Sequence, residues 1–143
     1  MRIAVIGTGS IGRRHIGNLL GLGYDDVLAV SEHKKIKTLE IGSRNVQVVN
    51  DVDAALKRSI DCVFICNPTG LHYRYLEKAI GARTHVFIEK PVGSTTAGFN
   101  ELLKEAKKKR LTIAVGNQFR FHPHLAEIRN KVRENRLGNI LRV

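Results

Sequence analysis

The stretch Val5-Ile6-Gly7-Thr8-Gly9-Ser10-Ile11-Gly12-Arg13-Arg14 joins a short apolar run to a segment of helical periodicity through three spaced glycines. Each glycine has a distinct task in such a strand-to-helix turn. Gly7 permits the tight turn, Gly9 lets the backbone approach a pyrophosphate, and Gly12 lets the helix close on the strand. Thr8, Ser10 and Ile11 fill the spaces between them, and the free N–H groups of the helix amino terminus would meet phosphate charge.

Context strengthens this reading. Glu32 lies 20 residues beyond Gly12 and closes the next β-rich run, where a carboxylate can accept hydrogen bonds from the hydroxyls of an adenosine ribose. That pattern favours NAD. The alternative for Glu32 is a solvated acid in a polar turn. Its neighbours Ser31, His33, Lys34 and Lys35 would receive the 2′-phosphate of NADP if Glu32 turned away, since a phosphate needs cations and donors.

Further along, β-rich runs alternate with helical stretches. Arg2 to Ile6, Val27 to Val30, Val46 to Val49, Cys62 to Ile65, His85 to Ile88 and Thr112 to Val115 predict six strands. They are nearly continuous apolar runs, as strands covered by helices on both faces require. Phe99, Leu102, Leu103 and Ala106 predict a helix capped by Thr95 and Thr96, with Lys107 to Arg110 at its carboxyl end. Tyr75, Leu76, Ala79 and Ile80 form a second stripe after Thr69. Leu125, Ile128 and Val132 form a third after Pro123. The fold class is α/β, with a doubly wound, mostly parallel sheet.

Composition narrows the function classes. The chain has 143 residues, enough for one core, with 43% hydrophobic and 26% charged residues, which excludes disordered and collagenous classes. No apolar run approaches the roughly 20 residues of a membrane span. The first residues lack the apolar core of a signal peptide, so the location expected is cytoplasmic. The net charge of +11 is concentrated beyond residue 70. Such charge can attract nucleic acid, yet no aromatic residues interleave the basic ones and no nucleic-acid motif is present, so nucleic acid is not expected as a partner. Cys62 and Cys66 sit in one extended run about 13 Å apart, too far to bridge, and are expected to be core thiols.

Three further stretches follow strand ends. They are Cys66-Asn67-Pro68-Thr69-Gly70-Leu71-His72, Ile88-Glu89-Lys90-Pro91-Val92 and Val115-Gly116-Asn117-Gln118-Phe119-Arg120-Phe121-His122-Pro123. With the glycine pattern, the ordered set resembles the amino-terminal half of the Gfo/Idh/MocA oxidoreductases, the family of glucose-fructose oxidoreductase and inositol dehydrogenase. The resemblance implies a Rossmann fold and hydride transfer between NAD(P) and a sugar, cyclitol or nucleotide-sugar hydroxyl. It makes Lys90 the catalytic cation that hydrogen-bonds the reacting oxygen, and implies a cis bond before Pro91. Glu89 would either position Lys90 by charge pairing or end a strand. Asn67 and Pro68 would line the dinucleotide groove. Asn117 and Gln118 would offer amide contacts near the nicotinamide, and Arg120 would bind substrate. His72 is either a cofactor contact or a polar residue at a helix end. His122 and His124 are expected to be helix-start residues, since two ligands do not close a metal site.

The resemblance also implies a second, substrate-binding domain that carries the family's catalytic Asp and His. The expected division is a dinucleotide-binding domain at 1–136, with 137–143 opening a second domain through a turn and a strand from Ile140 to Val143. On that reading the chain alone holds part of an active site. A stand-alone nucleotide-binding or redox-sensing module is the competing function, but it would have no need of Glu89 and Lys90. Oligomeric state is left open.

Overall fold

A computed structural model describes residues 1–33 and 35–142. Lys34, one of the cations considered for a 2′-phosphate, and Val143, the end of the expected terminal strand, lie outside the described residues.

Strand β1 (Ile3–Ile6) shows why the apolar runs are continuous. Ala4 and Ile6 enter one core with Val63, Ile65, Leu76 and Ile88, while Ile3 and Val5 enter another with Ile16, Leu19, Val27 and Ala29. Both faces of the sheet are therefore dry, as a strand covered on both sides demands. Helix α1 (Ser10–Gly21) covers the second core; α2 (Val52–Leu56), α3 (His72–Gly81) and α4 (Phe99–Lys108) cover the first.

Among the described residues the sheet has seven strands. Across it run β3 (Thr38–Ile41), β4 (Arg44–Val49), β2 (Val27–Val30), β1, β5 (Cys62–Ile65), β6 (His85–Ile88) and β7 (Ile113–Val115). Every pair is parallel except β3 with β4. Register places Val30, Ile6, Ile65, Ile88 and Val115 level with one another. Each next residue then donates its N–H to the last carbonyl of a neighbouring strand: Gly7 to Val30 (3.0 Å), Cys66 to Ile6 (2.8 Å), Glu89 to Ile65 (3.0 Å) and Gly116 to Ile88 (2.9 Å). These four residues form a row along the carboxyl edge. The chain leaves β1 toward β2 on one side and returns to β5 on the other, so a crevice opens above the row.

Several expectations need correction. The six strands become seven because residues 38–49 form a hairpin, turned at Gly42 with φ +60°. Its alternating exposure fits an edge that is half wet. Helix α2, capped by the Asp51 side chain on the Ala54 N–H at 3.0 Å, was not expected. Thr95 and Thr96 do not cap α4. The Thr95 hydroxyl closes a local turn by accepting from the Ala97 N–H, and the helix starts behind Gly98. Leu103 is exposed. Helix α5 (Pro123–Arg133) forms as expected, but Leu125, Ile128 and Val132 lie 43%, 50% and 37% exposed, because α5 packs mainly on the short 3-10 turn Gln118–Phe121. Residues 140–142 form no strand, since no sheet edge receives them.

Hydrogen exchange should separate these regions. Amides of Ile3–Ile6 and Val63–Ile65 should exchange only at the rate of global opening, and those of Ile140–Arg142 at nearly the unfolded rate. A tail as protected as β1 would show that it is paired in solution.

Candidate functional site

The three glycines do what their spacing requires. Gly7 has φ +102°, and a β-carbon there would lie 2.8 Å from the Asn67 nitrogen. A β-carbon on Gly12 would sit 1.8 Å from the Gly7 carbonyl oxygen, so α1 closes directly on the turn. Above Gly9 a β-carbon would meet nothing within 4 Å. The turn is thus tight underneath and open on its outer side, which is the shape of an anion cradle at a helix amino terminus.

Two cavities share the crevice. One, of about 400 Å³, is lined by Gly7, Thr8, Gly9, Ser10, Ile11, Ser31 and Glu32. The other, of about 520 Å³, is lined by Ile11, His15, His72, Glu89, Lys90, Asn117 and Gln118. Cys66, Asn67 and Pro68 border both. Gly12 lies buried beneath them. The sequence-predicted residues therefore gather in one crevice, apart from Arg120, which lines neither cavity, although Gln118 and Phe121 of the same turn do.

At the first cavity, Glu32 stands two residues past β2. Its Oε2 accepts a hydrogen bond from the Tyr75 hydroxyl and lies 3.9 Å from the Arg74 guanidinium. Burial and the Glu32 carboxylate push the Tyr75 phenol up to about 12, so it remains a donor at physiological pH. Thr8 and Ser31 meet beneath, with hydroxyl oxygens 3.4 Å apart.

The second cavity has a wall that sequence reasoning missed. His15 Nε2 lies 2.7 Å from Glu89 Oε1, and the His15 ring packs on Phe64 and Phe87, which stack on each other at 4.7 Å. Of the two readings of Glu89, the geometry fits the strand end: Glu89 directly follows β6 and its carboxylate pairs with His15, not with the Lys90 ammonium. Glu89 touches Lys90 only through its backbone N–H, at 3.2 Å, and Lys90 makes no ion pair among the described residues. The signal for His15 was its place four residues after Ile11, on the same face of α1. Gly116 leaves room for the carboxylate, since a β-carbon there would meet Glu89 at 3.1 Å. The bond between Lys90 and Pro91 is cis, as the resemblance implied.

His72 is 1% exposed, and its Nδ1 and Nε2 lie 2.9 and 2.8 Å from the carbonyl oxygens of Pro91 and Asn67. Its ring ties together the loops after β5 and β6. The Asn67 side chain is the reverse case: both its amide atoms are buried and have no hydrogen-bond partner among the described residues. An unpaired buried amide at the junction of two cavities is a place where a ligand's polar groups would be received. Burial and the Glu89 charge push the Cys66 thiol up to about 12, which disfavours the thiolate. No group of three or more metal-binding side chains occurs among the described residues, and no described helix is long and apolar enough to cross a membrane.

Known proteins share this fold. Residues 1–117 match the model of a family described as an oxidoreductase family with an NAD-binding Rossmann fold. The chain is 27% identical over 143 residues to inositol 2-dehydrogenase of Rhizobium meliloti, covering 98% of this chain and 43% of that protein. It is 30% identical over 130 residues to UDP-N-acetylglucosamine 3-dehydrogenase of Acidithiobacillus ferrooxidans, covering 90% and 41%. The structure of scyllo-inositol dehydrogenase from Lactobacillus casei, with bound NAD(H) and scyllo-inositol, superposes with a TM-score of 0.77 at 26% identity, covering 98% of this chain and 43% of that one. The chain thus spans about two-fifths of the length of these relatives.

Proposed function

Since the chain belongs to the Gfo/Idh/MocA oxidoreductase family, we propose that it is the dinucleotide-binding part of an enzyme that oxidises a sugar or cyclitol hydroxyl with NAD. The observation that carries this reading is the crevice itself, with an open glycine turn at one end, Lys90 at the other and the unpaired Asn67 amide between. Gly7, Thr8, Gly9, Ser10 and Ile11 would hold the pyrophosphate, and Glu32 the adenosine ribose. Asn67, Pro68, Asn117 and Gln118 would flank the nicotinamide, which when bound supplies the hydride chemistry.

Lys90 acts on the substrate side. Its ammonium would donate to the reacting oxygen and stabilise the negative charge that develops there. The His15–Glu89 pair and Phe87 form one wall of the same cavity. Residues 1–136 form the dinucleotide-binding domain in this reading, and 137–143 lead toward a substrate domain of the kind the longer relatives have room for. Cys62 and Cys66 are free thiols, which suits a reducing cytoplasm.

Calorimetric titration with NADH tests the proposal. Binding should be clearly tighter than that of an unrelated anion such as citrate, and Glu32→Ala should weaken it about tenfold by removing a charged acceptor. NADH affinity no better than that of citrate would remove the basis of the reading.

A further inference from the structure

On the reading that this crevice takes a dinucleotide, we propose that Tyr75 is a positioning residue for cofactor specificity: its hydroxyl fixes the Glu32 carboxylate against a 2′-phosphate, while Arg74 tempers that exclusion. Glu32 sits in a short loop after β2. A carboxylate in such a loop has several rotamers, and only one of them both receives the 2′-hydroxyl of a ribose and repels a phosphate in its place. Tyr75 selects one. Its ring is 3% exposed, anchored with Leu76 and Ile80 in the core beneath α3, so its hydroxyl is a fixed donor aimed at Oε2. Oε1 has no partner among the described residues, which leaves an acceptor for the ribose.

Arg74 works in the other direction. Its guanidinium lies 5.5 Å from the centroid of the Tyr75 ring and 3.9 Å from Glu32 Oε2, so it is the cation placed to neutralise Glu32 or to meet a phosphate directly. Specificity at this end is then a balance between an acid held by a tyrosine and a cation beside it. Losing the tyrosine hydroxyl lets Glu32 swing toward Arg74, and losing the arginine leaves the acid unopposed.

The experiment measures dissociation constants for NADH and NADPH by nicotinamide fluorescence, with thermal melts of each variant. The wild type should prefer NADH. Tyr75→Phe should shrink the ratio of the NADPH to the NADH constant by about tenfold, on the usual worth of one hydrogen bond to a charged group. Arg74→Ala, at an exposed position, should widen that ratio by about twofold or more. General loss of structure would weaken both cofactors alike and leave the ratio where it was. An unchanged ratio in Tyr75→Phe with an intact melt, or a narrower one in Arg74→Ala, would overturn the proposal while leaving the dinucleotide site in place. A wild type that prefers NADPH would overturn it too. A wild type that binds neither would instead remove the functional reading beneath it.

Discussion

Gly12→Ala should destabilise the chain by about 1–2 kcal/mol or more and weaken NADH by about tenfold or more. Two effects of one methyl group oppose each other. Alanine in a helix interior gains about 1 kcal/mol over glycine, but here the new carbon would stand 1.8 Å from one backbone atom of Gly7 and 2.9 Å from another. Backbone cannot rotate aside as a side chain does, so α1 must lift from the turn, and overpacking of this kind costs about 1–3 kcal/mol or more. Displacement wins. The same shift opens the phosphate cradle, whose N–H groups bind only at close range. Gly17→Ala on the same helix is the control. A β-carbon there would make an ordinary 3.6 Å contact with Ile41 and should add about 0.5–1 kcal/mol of stability. Urea denaturation of both variants decides the matter, and a Gly12→Ala chain as stable as the wild type would show that the turn yields.

His72→Ala is the second large effect, a loss of about 3–5 kcal/mol. A neutral imidazole carries one N–H, so removing the ring deprives one of the two carbonyls, of Asn67 or Pro91, of its donor, at about 1–3 kcal/mol, and leaves a void under α3 that adds about 2 kcal/mol. Partial rescue would identify the bonds. His72→Asn keeps an amide donor near the position of Nδ1 and should recover part of the loss through Pro91. His72→Gln reaches toward the position of Nε2 and should recover part through Asn67. A His72→Ala midpoint within about 1 kcal/mol of wild type would mean that water replaces the ring.

His72 also shows where sequence reading stops. Its place in the chain put it near the cofactor, and only coordinates reveal that both ring nitrogens are engaged by loops 5 and 19 residues away. The first βαβ unit was legible in full, because glycine spacing, a helix start and a following acid are local features. Glu89 and Lys90 were legible as neighbours, but the partner of Glu89 lies 74 residues earlier in sequence, and spacing carries no trace of such a pair. The Tyr75–Glu32 bond spans 43 residues and was hidden for the same reason. The β3–β4 hairpin could have been found: Gly42-Ser43 separates two runs with alternating pattern, a two-residue hairpin signal. Helix α5 has its stripe in the sequence, yet the stripe says nothing of what it faces, and here it faces outward.

The level register of β1, β5, β6 and β7 makes strand length a ruler for the crevice. One residue inserted in β5 would advance Asn67 by about 3.3 Å and turn its neighbours to the opposite face of the sheet. The same holds for Glu89 at the end of β6 and Asn117 beyond β7. Tolerance of insertions and deletions is therefore directional: a change of length in a segment entering the strands at the other edge, such as Leu22 to Asp26 before β2, leaves the crevice residues in place, whereas a change in the count of residues from a strand to its crevice residue does not.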